Sequence, residues 1–218
     1  MTELKTDFGY FNRDCLAIVA ACADNPDMVA RVAVFVELTI RQWFWQMPAA
    51  MATVDEFGAE SKYLFGAKRA GYRYIQANKQ ALLADVQAYH EKKIDLDTLI
   101  LRFLAIPNLG IVKASFLAQM TVGDGACLDM HNVASLGLND QTFRLSKKLT
   151  VDTINKKIRA YNAVWREFGD SAYWWNSWCD GLAMNSFKRL TPSLAWIAER
   201  LQDGNHVSEM HRTLILGE

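Results

Sequence analysis

Apolar positions recur at helical spacing over most of this chain. Val29, Val32, Val36, Ile40, Trp43 and Met47 follow Asn25-Pro26-Asp27, which reads as an N-cap, a first-turn proline and a first-turn acid. Val32, Val34, Val36, Leu38 and Ile40 also alternate as a strand would, and β-branched residues favour one. The cap and the length of the run, about twenty residues, decide for a helix. Ile75, Leu82, Val86 and Tyr89 form a stripe through 72–91, and Leu99, Ile100, Phe103 and Leu104 follow Asp97. Another helix is predicted from about Asp152, with Ile154, Ile158, Tyr161, Trp165 and Phe168 inward and Gly169 as its stop. A last one opens at Thr191-Pro192 and ends near Asp203-Gly204. Turn-linked alternating segments are absent, so the expected fold class is all-α.

The 218 residues show no repeat and no low-complexity linker, and they are read as a single unit. An apolar fraction of 51% excludes disorder. Glu37, Arg41 and Gln42 interrupt the richest apolar stretch well short of the ~20 residues a membrane helix needs. Met1 to Tyr10 lack a basic-then-apolar signal, so a cytoplasmic protein with no membrane partner is expected, and it is read as a monomer. Cys15, Cys22, Cys127 and Cys179 form no CxxC pair and have no histidine at finger spacing. A zinc or iron–sulfur site is therefore not expected, the thiols are read as structural or merely reduced, and nothing in the sequence requires a metal or an organic cofactor.

Net charge is zero, but its distribution is uneven. Lys62, Lys68, Arg69, Arg73 and Lys79 fall in an acid-free stretch from Ser61 to Ala84. Arg144, Lys147, Lys148, Lys156, Lys157 and Arg159 are opposed by Asp152 alone. Taken alone, these are solvated helix faces. The segment between them changes the picture.

Residues 99–132 read LILRFLAIPNLGIVKASFLAQMTVGDGACLDMHN. One helix ends before Pro107. Asn108 tolerates the left-handed conformation of a tight turn, and Gly110 allows close approach of a backbone or ligand. A second helix starts at about Ile111, and its unpaired first amides, with Lys113 in the first turn, suit a phosphate oxygen. Asp129 precedes His131 to Leu136, a helix it could cap. Tyr173, Trp174, Trp175 and Trp178 cluster downstream; Trp174 and Trp178 would share a helix face, with Trp175 turned away.

This stretch resembles the helix-hairpin-helix of the base-excision DNA glycosylase superfamily, whose hairpin is written apolar-Pro-Gly-apolar-Gly. That family's catalytic aspartate follows about twenty residues later in a Val-Asp-x-His run. Ile106-Pro107-Asn108-Leu109-Gly110 matches the hairpin with Asn for the first glycine, and Leu128-Asp129-Met130-His131 matches the aspartate run. Phe35 to Gln46 resembles the family's first core helix, and Ala70-Gly71-Tyr72 through Lys79 resembles its glycine-tyrosine-lysine segment. The likeness covers roughly residues 30–140. It implies a helix-hairpin-helix at about 99–120, with two helical halves, about 30–140 and 1–29 plus 141–218, facing across a cleft. Pro107, Asn108, Leu109, Gly110, Val112 and Lys113 would meet double-stranded DNA. Asp129 would be catalytic, with His131 and Asn132 beside it. Gln42, Tyr72, Trp175 and Trp178 would be available to line a base or substrate pocket. Lyase-active members carry an imine-forming lysine where this chain has Val112, so lyase chemistry is not expected.

Gly110 to Phe116, Gly125 to Asn132 and the Trp-x-x-Trp-Cys at 175–179 resemble more closely a bacteriophage branch of glycosylase-like proteins. Members of that branch are assigned to thymine hypermodification. The resemblance implies an enzyme that flips a modified pyrimidine out of the duplex and joins a free amino acid or amine to phosphorylated 5-hydroxymethyluracil. A glycosylase without lyase activity and a non-catalytic DNA-binding protein are the alternatives.

Overall fold

The computed structural model describes residues 9–129, 132–133, 136–137, 142–146, 149–186 and 203–217, with the backbone alone at 184–186. Every regular element among them is helical. A π turn at Phe11–Cys15 runs into α1 (Leu16–Cys22), followed by α2 (Pro26–Leu38), α3 (Met47–Phe57), α4 (Ala67–Ala77) and α5 (Lys79–His90). Next come α6 (Leu96–Phe103), α7 (Ile111–Val122), α8 (Val151–Phe168), α9 (Ser171–Ser186) and α10 (Gly204–Leu216). No helix among the described residues is long and apolar enough to cross a membrane.

Helix α2 is the centre of the molecule and packs against α1, α3, α4, α5, α7 and α10. Its start follows the sequence reading, for the Asn25 side chain accepts from the amides of Asp27 and Met28 at 3.0 and 3.1 Å, with Pro26 in the first turn. Its length does not. The helix stops at Leu38, Arg41 turns to φ +53°, and the chain re-forms as a short 3-10 turn at Phe44–Gln46 before α3. Every residue from Val32 to Leu38 is buried, because neighbours cover α2 on all sides. That all-round burial is the physical origin of the strand-like alternation. The predicted stripe through 72–91 is likewise two helices, broken at Asn78.

Asp203-Gly204, expected to end a helix, does not. Asp203 instead begins one, its carboxylate accepting from the His206 amide at 3.0 Å. Asp-Gly satisfies either signal, since Asp caps starts and Gly ends helices. Thr191-Pro192 lies outside the described residues. Helix α10 packs along α9, α1 and the π turn, where buried Asp14 pairs with Arg13 and, at 3.4 Å, with Arg212. Gly169 ends α8 as expected. Trp174, Trp175 and Trp178 are all buried, so both faces of α9 are covered there.

Candidate functional site

The hairpin between α6 and α7 is built as its sequence suggested. Asp95 caps α6 through the Thr98 amide at 2.8 Å, and Asn108 takes up φ +76° before α7 starts at Ile111. Asparagine brings more to this turn than its tolerance of that conformation. Its Nδ2 donates to Glu37 Oε1 at 2.6 Å and ties the turn to the central helix. Gly71 makes the approach possible, since a Cβ there would stand 2.8 Å from the Pro107 carbonyl oxygen and 2.9 Å from Glu37 Cδ. Ile106, Leu109 and Ile111 anchor the hairpin in the core. Gly110 faces open space, with nothing within 4 Å of a Cβ, and no side chain caps α7. The first amides of α7 therefore carry no intrahelical partner.

Beyond α7 the chain turns at Gly123, φ +75°, into a buried segment leading to Asp129. Distant side chains satisfy its backbone. Gly125 N–H donates to Ser171 Oγ at 3.0 Å and Ala126 N–H to Ser115 Oγ at 3.1 Å. The buried Tyr161 hydroxyl donates to the Ala126 carbonyl at 2.6 Å and accepts from Leu128 N–H at 3.0 Å. Asn132 Nδ2 donates to the Cys127 carbonyl at 2.8 Å, and Ser177 Oγ donates to Asn132 Oδ1 at 3.1 Å. A buried backbone group left without a partner is costly, so these bonds fix the path of the loop.

Asp129 is half-buried at the end of this segment. Its Oδ1 accepts from the Asn132 amide at 3.2 Å, the capping bond expected of it. Its Oδ2 accepts from the indole N–H of Trp178 at 3.1 Å. The carboxylate is thus held from both oxygens, by the turn that follows it and by α9. Trp178 stands in an aromatic cluster with Phe116 at 4.3 Å and His211 at 4.7 Å between ring centroids. His211 is fully buried and stacked on Phe44, and burial drives its pKa down to about 3, leaving it neutral.

No family model, curated protein or solved structure matches this chain.

Of the residues singled out from the sequence, Asp129, Asn132, Trp178 and Lys113 come together. The Lys113 ammonium lies 5.2 Å from the ring centroid of Phe116 and 5.8 Å from that of Trp178, with Cys127 Sγ at 3.9 Å. Val112 is half-exposed at the hairpin end of α7. Trp175 is fully buried and donates to Ser208 Oγ at 2.8 Å, which places it in the core. Gln42 donates to Gln46 and Tyr72 sets its hydroxyl over Gly58; neither hydrogen-bonds to Asp129. His131, Lys147 and Lys148 lie outside the described residues. No group of three or more His, Cys, Asp or Glu is placed to hold a metal ion among the described residues.

The basic stretches are paired in part. Arg69 and Arg73 face Glu60 at 3.9 and 3.6 Å, Lys79 meets Asp27 at 2.7 Å, and Lys156 meets Asp152 at 3.0 Å. Lys68 departs from the solvated-face reading altogether. It is buried, and its ammonium donates to the Leu38 carbonyl at 2.9 Å.

Glu37 and Lys68 are the groups that sequence reasoning passed over. Burial pushes the Glu37 carboxyl up to about 7, against the pull of the Asn108 amide and of Lys68. Burial lowers Lys68 to about 8, Lys113 adding to the fall and Glu37 opposing it. The folded protein thus keeps a proton on Glu37 that the unfolded chain releases at lower pH. This contribution to stability is complete on the acid side and is lost as pH rises through about 7. Glu37→Gln keeps an acceptor for Asn108 and removes the titration. The melting temperature of the variant relative to wild type is expected to rise by several degrees between pH 5 and pH 8, an effect on the order of 3 kcal/mol. Parallel melting curves across that range overturn the assignment.

Proposed function

We propose that this protein is a DNA base-modifying enzyme that joins an amino acid or amine to phosphorylated 5-hydroxymethyluracil in double-stranded DNA. The observation that carries the reading is Asp129, a half-buried carboxylate clamped by Trp178 and Asn132 on the loop that follows the hairpin. The motif resemblance supplies the substrate class. In this mechanism the hairpin amides hold a backbone phosphate and fix register without reading sequence. One pyrimidine leaves the stack and is presented to Asp129. The amine nitrogen attacks the exocyclic methylene carbon, forming a C–N bond. The C–O bond to phosphate breaks and its electron pair leaves with the phosphate, while the amine proton passes to Asp129. Fixing the carboxylate before substrate arrives removes the cost of ordering it during reaction.

The deciding experiment incubates the protein with such DNA and a mixture of amino acids and amines, then digests the DNA to nucleosides for mass analysis. A heavier thymidine derivative supports the transferase. Free base with abasic sites assigns a glycosylase instead, and unchanged nucleosides reduce the protein to a binder. The hairpin has its own test. Gly110→Pro distorts the approach to α7 and is expected to weaken binding to every duplex sequence alike. Wild-type affinity at moderate salt would remove the hairpin from the DNA interface.

A further inference from the structure

Lys113 stands in the first turn of a helix proposed to meet the DNA backbone, yet its side chain is folded inward. Its ammonium rests over the buried rings of Phe116 and Trp178, and Trp178 is the ring whose N–H holds Asp129. Its polar neighbour is Cys127, which burial keeps as a thiol, pushed up to about 12 in spite of the lysine. No carboxylate among the described residues forms an ion pair with Lys113. A half-buried cation on an apolar floor, without an anion, is an unfavourable arrangement that a ligand can complete.

The surroundings make the shortage of negative charge sharper. Lys113 lies close enough to Lys68 to disfavour its ammonium form. The acid that faces Lys68 is Glu37, which is only partly ionised at neutral pH. His211, beneath Trp178, stays neutral. Glu37 thus serves Lys68, Asp129 is held by Trp178 and Asn132, and an oxyanion entering beside Trp178 would satisfy Lys113 and relieve the repulsion on Lys68.

We infer that Lys113 is an oxyanion-binding group beside Asp129, and that the oxyanion it takes is the phosphate carried by the flipped base. This rests on the proposed transferase reading and assigns that reaction its leaving-group site. As the C–O bond breaks, negative charge grows on the departing phosphate, and the ammonium stands on the same ring that positions the base accepting the amine proton. A phosphate of the DNA backbone offers the same chemistry, but it lies outside the base stack, whereas the ammonium is turned onto the buried floor.

Binding, measured without amine so that no transfer occurs, tests the inference whatever the transfer assay returns. Three duplexes are compared, carrying thymine, 5-hydroxymethyluracil or its phosphorylated form at one position. Wild type is expected to prefer the phosphorylated duplex by roughly 10- to 100-fold, the effect of one charge-assisted hydrogen bond. Lys113→Met keeps the length of the side chain and is expected to abolish that preference, while Lys113→Arg restores much of it. Should the Met variant fail to fold, inorganic phosphate serves with wild type: it is expected to displace the phosphorylated duplex and to leave the thymine duplex bound. Equal weakening of all three duplexes by Lys113→Met, with a salt slope lower by about one, places the lysine on the backbone and overturns the inference. So does a wild type that shows no preference.

Discussion

Asp129→Asn is expected to lose about 10²- to 10⁴-fold in turnover, the usual worth of general-base assistance, while binding duplex DNA as well as wild type or better. The structure adds a cost to this substitution that cap chemistry alone does not suggest. An asparagine can still accept from the Asn132 amide, but the carboxylate accepts on both oxygens and the amide on one. Whichever way it turns, its NH₂ faces a donor. If the cap is kept, the Trp178 N–H loses its acceptor, at roughly 1–3 kcal/mol and a few degrees of melting temperature or more. Loss of activity could then be mistaken for loss of fold. Trp178→Phe removes the opposing donor, and the two substitutions form a double-mutant cycle. Asp129→Asn is expected to cost less stability in the phenylalanine background than in wild type, yet to remain inactive in both. An Asn variant that turns over normally reduces Asp129 to a helix cap and the proposed enzyme loses its base.

The features legible in the sequence are those decided within a few residues. Asn25-Pro26-Asp27 announced the start of α2, Pro107-Asn108 the turn, and Gly169 the end of α8, each through a local conformational preference. Asp129 as a cap belongs with them. The end of α2 was not legible, because a helix covered on every side has no polar face to mark its phase, and its apolar run merged with that of the following segment. Glu37 and Lys68 look like surface ions in the sequence, and only the packing of α2, α4 and the hairpin buries them together. The partners of the Asp129 loop were equally hidden. Helical periodicity set Tyr161 on an inward face and Trp178 on the face of Trp174, but it names no partner, and these two meet backbone or carboxylate groups 35 and 49 residues away.

Gly125→Ala is expected to be strongly damaging, because the Asp129 loop leaves no room for a methyl group. Gly125 sits at φ +121°, where only glycine is at ease, and an added Cβ would stand 2.5 Å from the Ser115 carbonyl oxygen and 3.1 Å from Ser115 Oγ. Neither atom can retreat cheaply. The carbonyl belongs to the backbone of α7, and the hydroxyl accepts the Ala126 N–H. Moving Gly125 away instead strains its own bond to Ser171. Backbone strain, overpacking and a lost buried hydrogen bond together make a loss of roughly 3 kcal/mol or more, which for a chain of this size lowers the melting temperature by about 6–12 °C. Gly110→Ala is the internal control: φ is −101° there and nothing lies within 4 Å, so a change of a few tenths of a kcal/mol is expected, a degree or so. Thermal melts of the two variants beside wild type settle the point. A Gly125→Ala protein as stable as the Gly110→Ala protein would mean that the segment into Asp129 is not held by Ser115 and Ser171, and the rigid carboxylate on which the proposed chemistry depends would lose its physical basis.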